Sequence, residues 1–268
     1  MGRSLIAFLS DFGSRDPYVA IVHAVIERLS QGRVRVIDIS HDLPAYSISA
    51  GAYILYTSYR WFPEGTVFLV VVDPGVGTER RAVAAKTKRY WFVGPDNGVL
   101  WQSLVDDGIE GVWIIENEEL FLKPVSRSFH GRDVFAPAAV HLALGGAPEK
   151  LGRSIDFRDL VKLRIVDDEC PSGSSFKARI VYIDRFGNVA ISLRDKCWDR
   201  LCRGRESVRV VSSRGVFRAR CLPVFSMAGK GELVLYANSL GFLEFAVNLG
   251  NAASLLGVRI GDQVVIYL

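Results

Sequence analysis

The sequence predicts an α/β protein: a three-layer α/β/α N-terminal domain, then a smaller, antiparallel, barrel-like β domain. Three observations carry this. Val67–Val72 is an apolar, largely β-branched run with no polar interruption, which reads as a strand covered on both faces. Strand-like and helix-like segments alternate around it, as in helices sandwiching a largely parallel sheet. Beyond about residue 164 the alternation gives way to short strand-like runs divided by Gly, Asn and Asp turns, the pattern of a small barrel.

The elements follow in order. Ser4–Ser10 reads as a strand. Asp16-Pro17 opens a helix, Asp as cap and Pro at the first helical position. Val19, Val22, Ile26 and Leu29 share one face of that helix, which runs to about Ser30. Arg33–Ile39 is a strand, and a helix spans Ser47 to Tyr59 with Ser47 or Ser49 near its cap. After the central strand come a strand pair at Val83–Lys86 and Tyr90–Val93 and a turn at Gly94-Pro95-Asp96. Asp96 or Asn97 caps a helix carrying Val99, Leu100 and Leu104. A strand at Gly111–Glu116 and a helix from Asp133 to Leu144 end this half. The acidic run Asp167-Asp168-Glu169 and the Pro/Gly/Ser stretch from Pro171 to Ser175 read as a linker between domains at 1–165 and 172–268. Strands are expected at Lys177–Ile183, Val189–Leu193, Val208–Ser212, Val216–Cys221, Leu233–Ala237, Phe242–Ala246 and Gln263–Tyr267, with short helical pieces near Trp198 and Ala252.

Composition narrows the function classes. The chain has 268 residues, 49% hydrophobic and 23% charged, with ample length for a large core. A net charge of +4 with scattered Lys and Arg argues against a nucleic-acid partner. The longest apolar runs, about six residues, are far short of the roughly 20 a membrane span needs. The start MGRSLIAFLSDFG resembles a signal peptide but lacks a cleavage site, so a first strand and a cytoplasmic location are expected. Cys170, Cys197, Cys202 and Cys221 show no CxxC spacing and no nearby histidine. No metal site is expected, and buried free thiols are the default state.

Four loops carry the chemistry. The central strand runs into Asp73-Pro74-Gly75-Val76-Gly77 and ends its loop at Arg80-Arg81, putting a carboxylate where open α/β sheets bind ligands. Ser10-Asp11-Phe12-Gly13, Ser128-Phe129-His130-Gly131-Arg132-Asp133 and Asp184-Arg185-Phe186-Gly187-Asn188 each set a polar residue beside Phe and Gly. That suits a pocket where rings stack on a planar ligand and carboxylates meet hydroxyls or an ammonium. Each also has a structural reading. Asp11 and Asp184 suit turns, His130 a hydrogen-bonded loop, and one of Arg80 and Arg81 solvated surface charge. The glycines resemble a dinucleotide loop, but Arg80 occupies the third glycine position and strands follow where a helix is required. There is no Walker lysine and no nucleophile elbow, hence no obvious covalent nucleophile.

The loops SDFG, DPGVGTERR, SFHGRD and DRFGN, with the late NSLGFLE and NAAS, together resemble the S-adenosyl-L-methionine hydroxide adenosyltransferase family, related to fluorinases and chlorinases. The motifs run in family order from Asp11 to Ser254. The resemblance implies hydrolysis of S-adenosylmethionine to adenosine and L-methionine, with no cofactor and a catalytic trio of Asp73, Arg80 and His130. It implies Asp11 on the ribose hydroxyls, Asp184 on the methionine ammonium with Asn188 nearby, and Phe186 shaping the adenine side. Tyr46 stands where the halogenases have a stacking Trp, and Phe225, Asn251 and Ala252 would line the adenine end. Phe129, Gly131 and Ser239 join the substrate contacts. It further implies a homotrimer whose pockets lie between one subunit's α/β domain and its neighbour's β domain.

The chemistry fits this mapping. A sulfonium leaves as a neutral thioether, so a general acid is not required; holding water in line with the ribose 5′-carbon is, and positioning of that kind can contribute roughly 7–11 kcal/mol. Asp73 and His130 could each take a proton from one water while Arg80 orients it, and the residues alone leave the base undecided. Fluorinases carry a halide-binding Ser at the position of Gly131, whereas chlorinases carry Gly there. The trio is therefore the discriminator, and the charge of Asp73 disfavours a halide. The alternatives are a chlorinase-like halide-dependent transferase and a non-catalytic module that binds an adenosyl ligand.

Overall fold

The computed structural model describes residues 4–167 and 169–268, and the backbone divides into two compact units between Leu163 and Arg164. Asp168 of the acidic run lies outside the described residues, as do the first three residues of the apolar start. Residues on both sides of Asp168 are held within the second unit. Asp167 donates its N–H to the Ser192 carbonyl at 2.8 Å, and Cys170 is bonded to Cys197.

The first unit contains β1 (Ser4–Ser10), α1 (Tyr18–Ser30), β2 (Val34–Ser40), α2 (Ile48–Ser58), β3 (Val67–Val71), β4 (Ala82–Thr87) and β5 (Trp91–Pro95). It continues through α3 (Trp101–Asp107), β6 (Ile109–Ile114), α4 (Ala136–Ala143) and β7 (Ser154–Ile155). The strands form a single sheet in the order β2-β1-β3-β5-β4-β6-β7. Neighbours among β2, β1, β3 and β5 run parallel, while β4 is antiparallel to both β5 and β6, and β7 antiparallel to β6. The sheet is thus mixed rather than largely parallel. Only residues 88–90 separate β4 from β5, too few for a crossover, so those two strands must form a hairpin.

Alternation along the central strands builds the layers. Ile6 and Phe8 of β1 and Val67, Leu69 and Val71 of β3 share a core with Val22, Val25 and Ile26 of α1 and with Ala138, Ala139 and Val140 of α4. Ala7, Leu9, Phe68 and Val70, which point the other way, are also fully buried. On that face Phe68 meets the rings of Tyr59 and Tyr90. There α2 comes so close that a Cβ at Gly51 would stand 2.9 Å from Val72 Cγ2.

The helix starts depart from expectation in detail. Ser47 caps α2, accepting from Ala50 N–H at 3.3 Å. Pro17 occupies the cap position of α1, with no side-chain hydrogen bond from Asp16 or any other cap. Asn97 bonds Val99 N–H ahead of α3, and Asp96 is engaged elsewhere. The segment expected as one helix from Asp133 opens with a π-helical turn, Gly131–Phe135, that runs straight into α4.

The second unit holds β8 (Ser175–Ile183), β9 (Val189–Arg194), α5 (Trp198–Cys202), β10 (Ser207–Ser212), β11 (Gly215–Cys221), β12 (Leu233–Ala237), β13 (Phe242–Val247), α6 (Ala252–Leu256) and β14 (Gln263–Tyr267). They close into a barrel in the order β10-β11-β12-β13-β9-β8-β14. Its pairings are antiparallel except β11 with β12. Ile191, Val210, Leu235, Phe245 and Val264 fill it. The cysteines are not free thiols: Cys170 pairs with Cys197 and Cys202 with Cys221. Barrel closure brings together pairs that sequence spacing does not reveal. Among the described residues no helix is long and apolar enough to cross a membrane.

Candidate active site

The strand β3 ends beneath Asp73, and the loop after it folds back: Val76 N–H donates to the Asp73 carbonyl at 3.2 Å. Gly77 has φ +76° and lies against the Arg127 carbonyl, which a Cβ would approach to 2.5 Å. Only glycine fits there, so this loop and the segment leading to His130 pack backbone to backbone.

Arg80 returns to grip Asp73. Its Nε donates to Oδ1 at 2.9 Å and to Oδ2 at 3.0 Å, and its Nη2 donates to Oδ2 at 2.5 Å. Both side chains are largely shielded, 11% exposed for Arg80 and 6% for Asp73. The guanidinium also lies over the Phe135 ring, 5.1 Å from its centroid. Arg80 Nη2 reaches His130 Nδ1 at 2.9 Å. An arginine has no acceptor, so Nδ1 must be the unprotonated nitrogen, and the neutral ring carries its proton on Nε2. Burial, reinforced by the positive charge of Arg80, lowers the His130 pKa from its ordinary value and holds the ring neutral.

A cavity of about 270 Å³ opens beside this trio. Of the residues singled out from sequence, Asp11, Tyr46, Asp73, Phe129, His130 and Gly131 all line it. Arg80 is not among the lining residues but contacts Asp73 and His130, which are. Asp11 Oδ2 accepts from Tyr46 N–H at 2.7 Å, which sets Tyr46 on the rim with φ +66° and 75% exposed. Phe12, Val76 and Ser128, which belong to the loops read from sequence but were not singled out, also line it, and sequence reasoning missed Tyr18, Ala45 and Val71. Phe12, Tyr18 and Phe129 form a ring triangle with centroids 5.3–5.8 Å apart. Tyr18 could have been found from its position, seven residues after Asp11 at the start of α1.

Arg81 is not solvated surface charge. It donates from Nε to Asp96 Oδ2 at 2.8 Å and also bonds the Asp159 carbonyl, while Asp96 Oδ1 accepts from Val161 N–H at 2.9 Å. Arg81 is therefore a structural clamp on the segment at the end of the first unit.

In the second unit Asp184, Phe186 and Asn188 share the turn between β8 and β9. The Asp184 carboxylate accepts from Phe186 N–H at 2.9 Å, Asn188 N–H at 2.8 Å and Asn188 Nδ2 at 2.9 Å. This turn packs on the start of α6. Ala253 N–H donates to the Gly187 carbonyl at 2.9 Å, and a Cβ at Gly187 would stand 2.2 Å from the Asn251 side chain. Asn251 caps α6 by accepting from Ser254 N–H, Ala252 is buried and Phe186 is 68% exposed. Phe225 lies apart, on a short 3-10 turn with its ring 6.0 Å from Tyr236, and Ser239 is exposed in the turn between β12 and β13.

Known proteins resemble this chain along nearly its whole length. The chain is 40% identical over 266 residues to an (R)-S-adenosyl-L-methionine hydrolase of Thermus thermophilus, covering 97% of this chain and 98% of that one. A crystal structure of an uncharacterized conserved protein from Thermotoga maritima superposes with a TM-score of 0.88 at 38% identity, covering 98% of this chain and 100% of that one. A fluorinase of an Actinoplanes species is more distant, 26% identical over 292 residues, with 99% and 98% coverage. The models of the SAM hydroxide adenosyltransferase N-terminal and C-terminal domains match residues 6–152 and 178–265. A matched domain in each unit, with similarity running nearly end to end, makes the chain a member of the SAM hydroxide adenosyltransferase family.

Proposed function

We propose that the protein hydrolyses S-adenosyl-L-methionine, in its (R) sulfonium configuration, to adenosine and L-methionine. The observation that carries this is the bridging of Asp73 and His130 by Arg80 at the wall of the cavity. The (R) configuration comes from the name of the Thermus thermophilus relative.

Water attacks the ribose 5′-carbon in line with the sulfur. The C5′–O bond forms as the C5′–S bond breaks, and the departing electron pair neutralises the sulfonium. His130 donates its Nε2–H to the water oxygen and Asp73 accepts one of the water's protons, so the two fix its remaining lone pair on the carbon. The attacking oxygen becomes strongly acidic as the bond forms, so an ionised carboxylate suffices as proton acceptor. The tautomer set by Arg80 therefore favours Asp73 as the base and His130 as the orienting donor. A neutral nucleophile suits a site walled by a carboxylate better than a halide does.

Further parts of the reading rest on the family resemblance. Asp11 holds the ribose hydroxyls, with Tyr46, Phe129 and Gly131 along the sugar and adenine. Asp184, with Asn188 and Ser239, takes the methionine end, and Phe186, Phe225, Asn251 and Ala252 shape the adenine side. The cavity of about 270 Å³ falls just below the roughly 300–1,000 Å³ of sites that enclose a whole drug-sized ligand. A cavity of that size fits a site completed by further residues; that a neighbouring copy in a homotrimer supplies them rests on the family resemblance. No cofactor is assigned, because the sulfonium is already an activated leaving group, and neither nucleic acid nor membrane is a partner. We place the protein in the cytoplasm, a compartment where disulfides are rare outside hyperthermophiles.

The test is product analysis after incubating each sulfonium epimer in isotopically labelled water, with and without chloride. The expected result is label in the adenosine 5′-hydroxyl, release of methionine and faster consumption of the (R) epimer. Formation of 5′-chloroadenosine, or adenosine without label, would overturn the proposal.

A further inference from the structure

Outside the cavity, one cluster of metal-binding side chains has no part in the hydrolysis. His23 on α1, Asp38 on β2 and His41 in the turn after β2 place one donor atom each within 4.8 Å of one another. Both histidines converge on one carboxylate oxygen: His23 Nε2 lies 2.8 Å and His41 Nε2 3.0 Å from Asp38 Oδ1. We propose that these three side chains form a binding site for a divalent first-row transition-metal ion of the Zn²⁺ type, with water on its open positions.

The state of His41 carries the argument. Its side chain is nine-tenths buried, yet its Nε2 makes no hydrogen bond of acceptable geometry despite the nearby carboxylate. Its other nitrogen, Nδ1, lies 2.7 Å from Ser10 Oγ, which also accepts from Phe12 N–H at 3.4 Å. In the tautomer whose Nδ1–H donates to Ser10 Oγ, Nε2 presents a bare lone pair toward the Asp38 oxygen. Two such facing acceptors repel unless a proton or a metal ion lies between them, and a metal ion also satisfies the nitrogen that forms no well-angled hydrogen bond. A histidine ligand whose second nitrogen donates to a fixed oxygen is the usual outer arrangement of a metal site.

Distances and donor types point to the same class of ion. Ligand bonds of about 2.0–2.2 Å put adjacent donors about 2.9–3.5 Å apart, for octahedral through tetrahedral angles, so the two histidine–carboxylate pairs need only a small expansion, while the two histidine nitrogens, within 4.8 Å of each other, would draw together on the ion. Two imidazoles and one carboxylate select Zn²⁺, Fe²⁺ or Co²⁺ over Mg²⁺ and Ca²⁺, which prefer all-oxygen sets. The Phe8 ring, 4.6 Å from the His41 ring and 6.1 Å from that of His23, gives the site an apolar floor. His23 and Asp38 are partly exposed, which leaves an entry path. The His41 carbonyl accepts from Gly13 N–H at 2.8 Å, so a bound ion would brace the loop that carries Asp11.

The test is titration of the chelator-treated full chain with Co²⁺ as an optical probe, followed by displacement with Zn²⁺, with melting temperature in parallel. We expect one Co²⁺ per chain with visible ligand-field bands, loss of the bands on adding Zn²⁺, and a higher melting temperature with Zn²⁺. His23→Ala and Asp38→Asn should abolish both signals, and Ser10→Ala should weaken binding about 10–100-fold. Asp38→Asn preserves shape, so circular dichroism of that variant separates lost binding from lost folding. The site is overturned if the wild-type chain gives no bands, or if the folded Asp38→Asn and His23→Ala chains give the same bands.

Discussion

Arg80 donates to Nδ1 of His130 at 2.9 Å, and that single contact sets which ring nitrogen carries the proton. The same guanidinium holds both oxygens of Asp73. A lysine would bring charge without the planar fork and could not serve the carboxylate and the ring together. Arg80→Lys should lower kcat about 10²–10³-fold, as for loss of an oriented catalytic donor, with little change in KM. Steady-state kinetics checks this; an unaltered kcat would remove Arg80 from the mechanism.

The neutrality of His130 predicts the acid limb of activity. Burial first, then Arg80, lower its pKa from the ordinary 6.5. The native state therefore resists protonation that the unfolded chain accepts. The associated stability is fully present above 6.5 and declines as the pH falls through the lower, native value. Turnover should stay level down to that ordinary value and fall only below it. A pH–rate profile with an acid limb centred above 6.5 would contradict this assignment.

Tyr46 holds a left-handed backbone conformation at the rim, with φ +66°. In a residue with a Cβ that conformation costs about 1–2 kcal/mol, part of which glycine would recover. Tyr46→Gly should raise stability by up to about 1 kcal/mol while raising KM, because the ring that walls the cavity is gone. Denaturant unfolding and substrate titration measure the two effects separately.

Arg81 should behave unlike its neighbour. Removing it leaves the buried Asp96 carboxylate without its cation, at a cost of about 1–3 kcal/mol. Arg81→Ala should therefore lower the melting temperature while the folded fraction keeps its kcat. A loss of turnover matching that of Arg80→Lys would show that the clamp reaches the chemistry.

The two disulfides close sequence separations of 27 and 19 residues in the second unit. By the chain-entropy relation each contributes about 3–4 kcal/mol. Dithiothreitol should lower the stability of the barrel unit well beyond that of the first, as seen by hydrogen exchange resolved by segment. Equal loss in both units would contradict the assignment of the bridges.

What was legible in the sequence was what is local. The seven barrel strands, the Ser47 cap and the loops that bring Asp73 and His130 to one cavity announce themselves through period, turn chemistry and motif. Arg80 was legible as an active-site residue only through the family resemblance. What was hidden depends on residues far apart in the chain. The Phe12–Tyr18–Phe129 triangle follows from helix placement, and the cysteine pairing from closure of the barrel. His23, Asp38 and His41 belong to a helix, a strand and a turn, and nothing in their spacing joins them.

Gly131 bears on how such a protein could change its chemistry over evolution. A Cβ there would stand 3.1 Å from Val71 Cγ1 and 3.2 Å from Phe12 Cζ. A serine at this position would press on both neighbours, so that Phe12 would have to give by a few tenths of an ångström, and Phe12 leans on both Tyr18 and Phe129. The two changes are thereby coupled: a hydroxyl gained at 131 is felt through the whole aromatic wall. Room for such a hydroxyl is set by aromatic packing, whereas the Asp73 charge acts on a halide independently of it.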